Sequence, residues 1–266
     1  VWSLGAQCGV DNLEAITKAH YLCNELGIDS IEMGVLIGLA MELYEKGYID
    51  PSLARGLDMK FGNPQAIVEL IWRVAYRSGL GDDIAEGGEK FAAKYKAPEL
   101  FMGVRGQGFP AYDPRAFQGH GLGYATSNRG GCHLRAYVMA AEVVGEVCGE
   151  KLELDPLEIK GKPQVLITFQ NLYGACDSLI VCKFNTFAVG AGEFASTLSA
   201  VTGWKYGNDD IMKVGERIYN LERAFNVREG YHWEDGLPKR FLETPLPEGP
   251  KKGQVHRFNE MIGEYY

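Results

Sequence analysis

The sequence has no C-x-x-C pair, no run of Lys or Arg, and no stretch of about 20 uninterrupted apolar residues. Each absence excludes something. Without a basic cluster there is no phosphate-binding face for a nucleic acid, and the net charge of −8 argues the same way. The most apolar stretch, Ile31 to Leu43, is interrupted by Glu32 and Glu42, which fits a core helix and excludes a membrane span. Val1 to Gly9 offers neither the charged nor the apolar region of a signal peptide, and no Met opens the chain, so further upstream sequence is expected. The six cysteines, Cys8, Cys23, Cys132, Cys148, Cys176 and Cys182, are widely spaced. At this chain length they predict reduced thiols, one of them a candidate metal ligand, and not a disulfide scaffold. A Walker A loop, H-E-x-x-H and G-x-S-x-G are also absent, and the five histidines are dispersed. Gly106-Gln-Gly108 and Gly119-His-Gly121-Leu-Gly123 neither follow a strand nor complete a dinucleotide fingerprint.

Glycine is abundant instead, 34 of 266 residues, without a collagen period. The excess predicts tight turns and close backbone approaches. Helical signals dominate. Asp11-Asn-Leu-Glu14 has the form of a capping box ahead of Leu13, Ile16, Ala19, Leu22, Cys23 and Leu26 at helical spacing, with Gly27 as a stop. A second helix is expected from about Ile31 to Lys46. A third opens at Asn63-Pro64 and runs to about Arg77, and a fourth runs from Asp82 or Asp83 to about Tyr95. Gly103 to Gly123, rich in Gly and Pro, is the best domain boundary. Beyond it, helices are expected at His133–Glu146, Pro163–Cys182, Gly192–Thr202 and Asp209–Val227. An extended tail is expected from Leu237 to Gln254, and Lys151–Leu154 is the best strand candidate. The expected class is mainly α: multihelical, with two helical domains, 1–106 and 107–266, and no large sheet.

Three segments carry chemistry. Tyr124 to Tyr137 leads from a Gly-rich loop into a predicted helix that Ser127 or Asn128 could cap. Free backbone N–H groups beside Arg129 and Arg135 suit an anion, and His133 can move protons; the plainer reading is a loop-to-helix junction with structural ion pairs. Asp177-Ser-Leu-Ile-Val-Cys182 places a carboxylate acceptor and a soft thiolate within one and a half turns, although a cysteine in such a place is more often packing than ligand. Asp29-Ser-Ile-Glu-Met33, taken alone, is an N-cap.

Together these words resemble the aldehyde ferredoxin oxidoreductase family over essentially the whole chain. Others that carry the resemblance are Leu4-Gly-Ala-Gln-Cys-Gly-Val-Asp-Asn-Leu-Glu14, Pro110-Ala-Tyr-Asp-Pro-Arg115, Gly121 to His133, Asn226-Val-Arg-Glu-Gly230 and Leu237-Pro-Lys-Arg-Phe241. The resemblance is to the family's C-terminal helical domains 2 and 3, with truncation expected at both ends. It implies an oxidoreductase that converts aldehydes to carboxylic acids with ferredoxin as electron acceptor. The implied cofactors are a tungsten or molybdenum bis-pterin and a [4Fe-4S] cluster, with Mg compatible with the pterin phosphates. Asp29 and Asp177 match the aspartates of two D-x-x-G-L pterin motifs, but Glu32 and Ile180 stand at the Gly positions and Met33 and Val181 at the Leu positions. Cys182 matches one cluster ligand, Arg129 and Arg135 match positions near the pterin phosphates, and His133 matches a histidine lining the metal pocket. The resemblance also implies an N-terminal β-rich domain on which the pterins sit and a C-x-x-C-x-x-x-C run that supplies the other three cluster ligands; neither is in this sequence, so the fragment alone is expected to be inactive. The implied partners are a small aldehyde, ferredoxin, that absent domain or a subunit supplying it, and a second copy, in an anaerobic cytoplasm. The competing expectation is a cofactor-free helical binding or scaffold module descended from the family.

Overall fold

A computed structural model describes residues 1–231 and 235–266. The chain is mainly α, and the only strands among the described residues form two two-stranded antiparallel ribbons. It divides into two compact units, the first comprising 1–112, 129–132 and 238–240, the second comprising 113–128, 133–237 and 241–266.

The first unit is built on helices α1 (Leu13–Glu25), α2 (Ser30–Glu45), α3 (Pro64–Ala75), α4 (Leu80–Ile84) and α5 (Gly88–Lys94), with the ribbon β1 (Gly103–Val104) and β2 (Gln107–Gly108). Asn12, one residue past the expected Asp11, caps α1 by accepting from the Ala15 N–H at 2.9 Å. Apolar on every side, α2 buries Met33 through Met41 and Leu43 and forms the centre of this core. The single helix expected from Asp82 or Asp83 to Tyr95 is two short ones. Gly87, at φ +91°, turns the chain between α4 and α5.

The second unit contains α6 (Gln118–Thr126), the ribbon β3 (Glu146–Val147) and β4 (Glu150–Lys151), α7 (Lys162–Ser178), α8 (Ala191–Thr202), α9 (Asn208–Arg228), α10 (Lys239–Glu243) and α11 (Phe258–Tyr265); α10 straddles the division at residue 240. The Gly-rich segment expected to be a loop is α6, with all nine residues buried. Packing overrides the weak helix propensity of glycine here. Ser127 ends α6, so neither it nor Asn128 caps a following helix. The helix expected at His133–Glu146 is instead a 3-10 turn, His133–Arg135, and a π turn, Ala140–Val144. Its charges have partners too far apart for a straight helix. Arg135 pairs with Asp177 at the C-terminal end of α7, and Glu142 with Lys162 at its N-terminal end. Those ends lie ~22 Å apart along α7, whereas Arg135 to Glu142 would span only ~10 Å if helical. Lys151–Leu154 contributes only Lys151 to a strand, and the tail contains α10, where good helix formers follow Pro238.

The principal packing of this unit is α7 against α9, and it is made through glycine. A Cβ on Gly215 would lie 1.7 Å from the Asn171 carbonyl oxygen, and one on Gly174 would lie 3.0 Å from the Gly215 carbonyl oxygen. No side chain fits between the two backbones. Gly215→Ala should therefore destabilise the protein by about 3 kcal/mol. Gly263→Ala, on α11 with nothing within 4 Å of the added carbon, should stabilise it by about 0.5 kcal/mol. Urea unfolding of both variants checks the contrast, and equal effects would contradict this account of the α7–α9 contact.

Candidate cofactor site

In the first unit Asp29 is the N-cap of α2. Its Oδ1 accepts from the N–H groups of Ile31 at 2.9 Å and Glu32 at 2.7 Å, and its Oδ2 takes no hydrogen bond from the described residues. Met33 is fully buried beneath that turn. Glu32, standing where the family pattern has Gly, reaches the Gly108 N–H at 2.9 Å; burial pushes its carboxyl above the usual range against the lowering effect of that bond. Arg129 places Nε at 3.2 Å and Nη2 at 3.0 Å from the buried Cys132 sulfur.

In the second unit Asp177 lies in the last turn of α7. Its Oδ2 accepts from Arg135 Nη1 at 2.7 Å and Lys183 Nζ at 2.8 Å, and its Oδ1 takes no hydrogen bond from the described residues. Arg135, only 5% exposed, extends Nη2 to the Glu222 carboxylate on α9 and lays its guanidinium 5.8 Å from the centre of the Tyr219 ring. Lys183 also donates to the Leu134 carbonyl and sits 5.4 Å from the Tyr173 ring centre. Two cations thus face two carboxylates. Arg135 is committed to carboxylates in this arrangement, where the resemblance implied a phosphate neighbour.

Cys182 is exposed and starts the turn Lys183–Phe187, and half-buried Val181 packs on a small cluster with Leu172, Cys176 and Phe194. Cys176 is buried, and that burial pushes its thiol up. Ile180, at the second Gly position of the family pattern, is 93% exposed with φ +56°. That is the left-handed region glycine occupies freely and β-branched residues avoid. The family's glycine therefore has a backbone reason here, and isoleucine carries the strain.

His133 opens the turn His133–Arg135, with its ring centre 5.4 Å from that of Tyr137. His120, on α6, packs 4.5 Å from the Tyr124 ring and 6.0 Å from Tyr137. Burial, and then the charge of His133, push its imidazole down to about 3, so it is neutral at physiological pH. His120, Lys183, Glu222 and the buried pair Glu142–Lys162 are functional or structural groups that no motif in the sequence marks. Glu142 accepts from the Gly119 N–H at 2.9 Å and the His120 N–H at 3.1 Å, which fixes the start of α6. Lys183 directly follows the word that ends at Cys182, and His120 lies inside Gly119-His-Gly121-Leu-Gly123; Glu222 has no local signal. All six cysteines are free, and among the described residues no group of three or more His, Cys, Asp or Glu could hold a metal ion. No described helix is long and apolar enough to cross a membrane.

The family model for aldehyde ferredoxin oxidoreductase, domains 2 and 3, matches residues 1–266. The chain belongs to the aldehyde ferredoxin oxidoreductase family. It is 44% identical over 270 residues to the tungsten-containing aldehyde ferredoxin oxidoreductases of Thermococcus kodakarensis and Pyrococcus furiosus. Each match takes in 100% of this chain and 44% of the relative, so the chain spans less than half the length of these relatives. A more distant relative is an aliphatic sulfonate oxidoreductase, WOR-like subunit, of Pyrococcus furiosus, 26% identical over 99% of this chain and 41% of its own. The fold is shared with a chain of the active site complex BamBC of benzoyl coenzyme A reductase, solved with 1,5-dienoyl-CoA. The TM-score is 0.65 at 18% identity, over 90% of this chain and 41% of that one.

The strain at Ile180 gives a direct test. Ile180→Gly should raise stability by ~0.5–1 kcal/mol, the left-handed penalty of about 1–2 kcal/mol less the extra chain entropy of glycine. Chemical denaturation measures it, and a clear loss of stability would mean that the conformation at 180 is not as described.

Proposed function

We propose that this chain is the C-terminal part of an oxidoreductase that oxidises small aldehydes to carboxylic acids and delivers the electrons to ferredoxin. One observation carries the reading. Asp177 has one carboxylate oxygen fixed by Arg135 and Lys183 and the other without a hydrogen bond from the described residues. Asp29 is divided in the same way, Oδ1 bonded to its own helix and Oδ2 unbonded. A carboxylate held by one oxygen and open at the other is what an N–H-bearing heterocycle needs as an acceptor, and the two aspartates fall on the family's two pterin motifs.

In this reading Asp29, with Met33 beneath it, holds one pterin, and Asp177, beside Val181, holds the other. Arg129 lies toward the phosphate side, where Mg is compatible. Cys182, exposed and directly after the second motif, is the ligand this chain provides to a [4Fe-4S] cluster, whose other three thiolates come from outside these residues. When bound, the tungsten or molybdenum bis-pterin supplies the two-electron chemistry and the cluster passes electrons on singly. The protein's tasks are then to orient the pterins, to shield the site, and to take up and return a proton at the His133 imidazole. Neutral His120 beside that ring adds no competing charge at working pH. The two-domain division at residue 106, dimer formation and a place in an anaerobic cytoplasm belong to the same proposal.

The test is metal content and turnover of the full-length protein produced anaerobically. We expect tungsten or molybdenum together with about four Fe per chain. Cys182→Ser should lose cluster iron and at least the ~10–100-fold in aldehyde-dependent ferredoxin reduction that even outer-shell partners cost. Protein containing neither heavy metal nor iron, or a Cys182→Ser variant with undiminished iron and rate, would overturn the proposal.

A further inference from the structure

Arg135 is held more elaborately than a single ion pair requires. Its guanidinium is buried and joins Asp177, at the end of α7, to Glu222, on α9. The Tyr219 ring, also on α9, lies 5.8 Å from it. Glu222 is steadied in turn by the Asn128 side-chain amide, whose Nδ2 lies 3.4 Å from the same carboxylate oxygen and 2.9 Å from the Tyr219 carbonyl. Asn226 on α9 closes the arrangement with a 2.8 Å bond to the Asn128 carbonyl. An arginine bonded to one carboxylate can pivot about that contact. An arginine forked between two carboxylates on different helices, with a ring against it, has its plane fixed. The Asp177 oxygen it holds is thereby fixed as well, and the direction of the open oxygen follows.

We propose that Glu222 is a positioning residue which, through Arg135, aims the open oxygen of Asp177 at a heterocycle N–H. The inference rests on the reading of Asp177 as a pterin acceptor. It gives Arg135 a task, holding a carboxylate in place, that differs from contacting a pterin phosphate.

A double-mutant cycle on the loaded, full-length protein tests it. The measured quantity is the rate at which pterin leaves the protein on dilution, followed by pterin fluorescence after oxidation, with thermal unfolding in parallel. Glu222→Gln should speed release about tenfold when Asp177 is intact. In an Asp177→Asn background, where no oriented carboxylate remains, it should change release by less than about twofold. A merely structural ion pair would give the same fold-change in both backgrounds, and that result, or no effect of Glu222→Gln in either, would overturn the proposal. Asp177→Asn without effect on release would sink the reading of Asp177 and this inference with it. If the Gln variant does not fold, Glu222→Asp, which keeps the charge but draws it back by one methylene, takes its place and should show the same dependence on Asp177.

Discussion

A single buried guanidinium, that of Arg135, organises the chemically interesting part of the second unit. Burying a charge is expensive unless it is paired and hydrogen-bonded. Arg135 is paired through Nη1 and Nη2 with two carboxylates from separate helices, while its Nε is buried without a partner among the described residues. The consequence reaches well beyond the ion pair. The end of α7 and the middle of α9 must present Asp177 and Glu222 at one point, and the Gly174–Gly215 approach of the two helices brings their backbones close enough to do so. The segment from His133 to Val144 cannot be a regular helix, because it must deliver Arg135 to one end of α7 and Glu142 to the other.

Ile180, three residues past Asp177, is one of six non-glycine positions at positive φ among the described residues, and it occupies a conformation suited to glycine. Glu142, buried with Lys162, ties the start of α6 to α7 through backbone N–H groups and so sets the place of His120. Removing one member of such a pair leaves an uncompensated buried charge, typically worth ~3–5 kcal/mol. The second unit thus sets its buried charged contacts within an apolar interior that includes Leu122, Val138, Leu166 and Phe169. The first unit depends on an apolar core around α2.

How much of this could be read in advance follows from where each signal lies. α1, α2, α3, α7, α8 and α9 were legible because apolar spacing and caps are local properties; Pro64 at the start of α3 is one example. α6 was not legible, since three glycines within nine residues imitate a loop and only tertiary burial makes the segment helical. The broken stretch after His133 was hidden for the opposite reason, good local helix propensity overruled by distant partners. Among the candidate site residues, Asp29, Asp177 and Cys182 stood out through the resemblance to a family. The convergence on Arg135 did not, because its partners lie 42 and 87 residues away along the chain. No periodicity or spacing rule reaches that far.

The central claim is that Asp177 is a carboxylate divided between the protein and a ligand, one oxygen held by Arg135 and the other offered outward. An experimental structure of the full-length protein with its cofactors bound tests this most directly. The account predicts a pterin nitrogen about 3 Å from Asp177 Oδ1, with Arg135 still on Oδ2 and on Glu222. A pterin whose nitrogens are bonded elsewhere, or an Arg135 that has left both carboxylates for a phosphate, would contradict it.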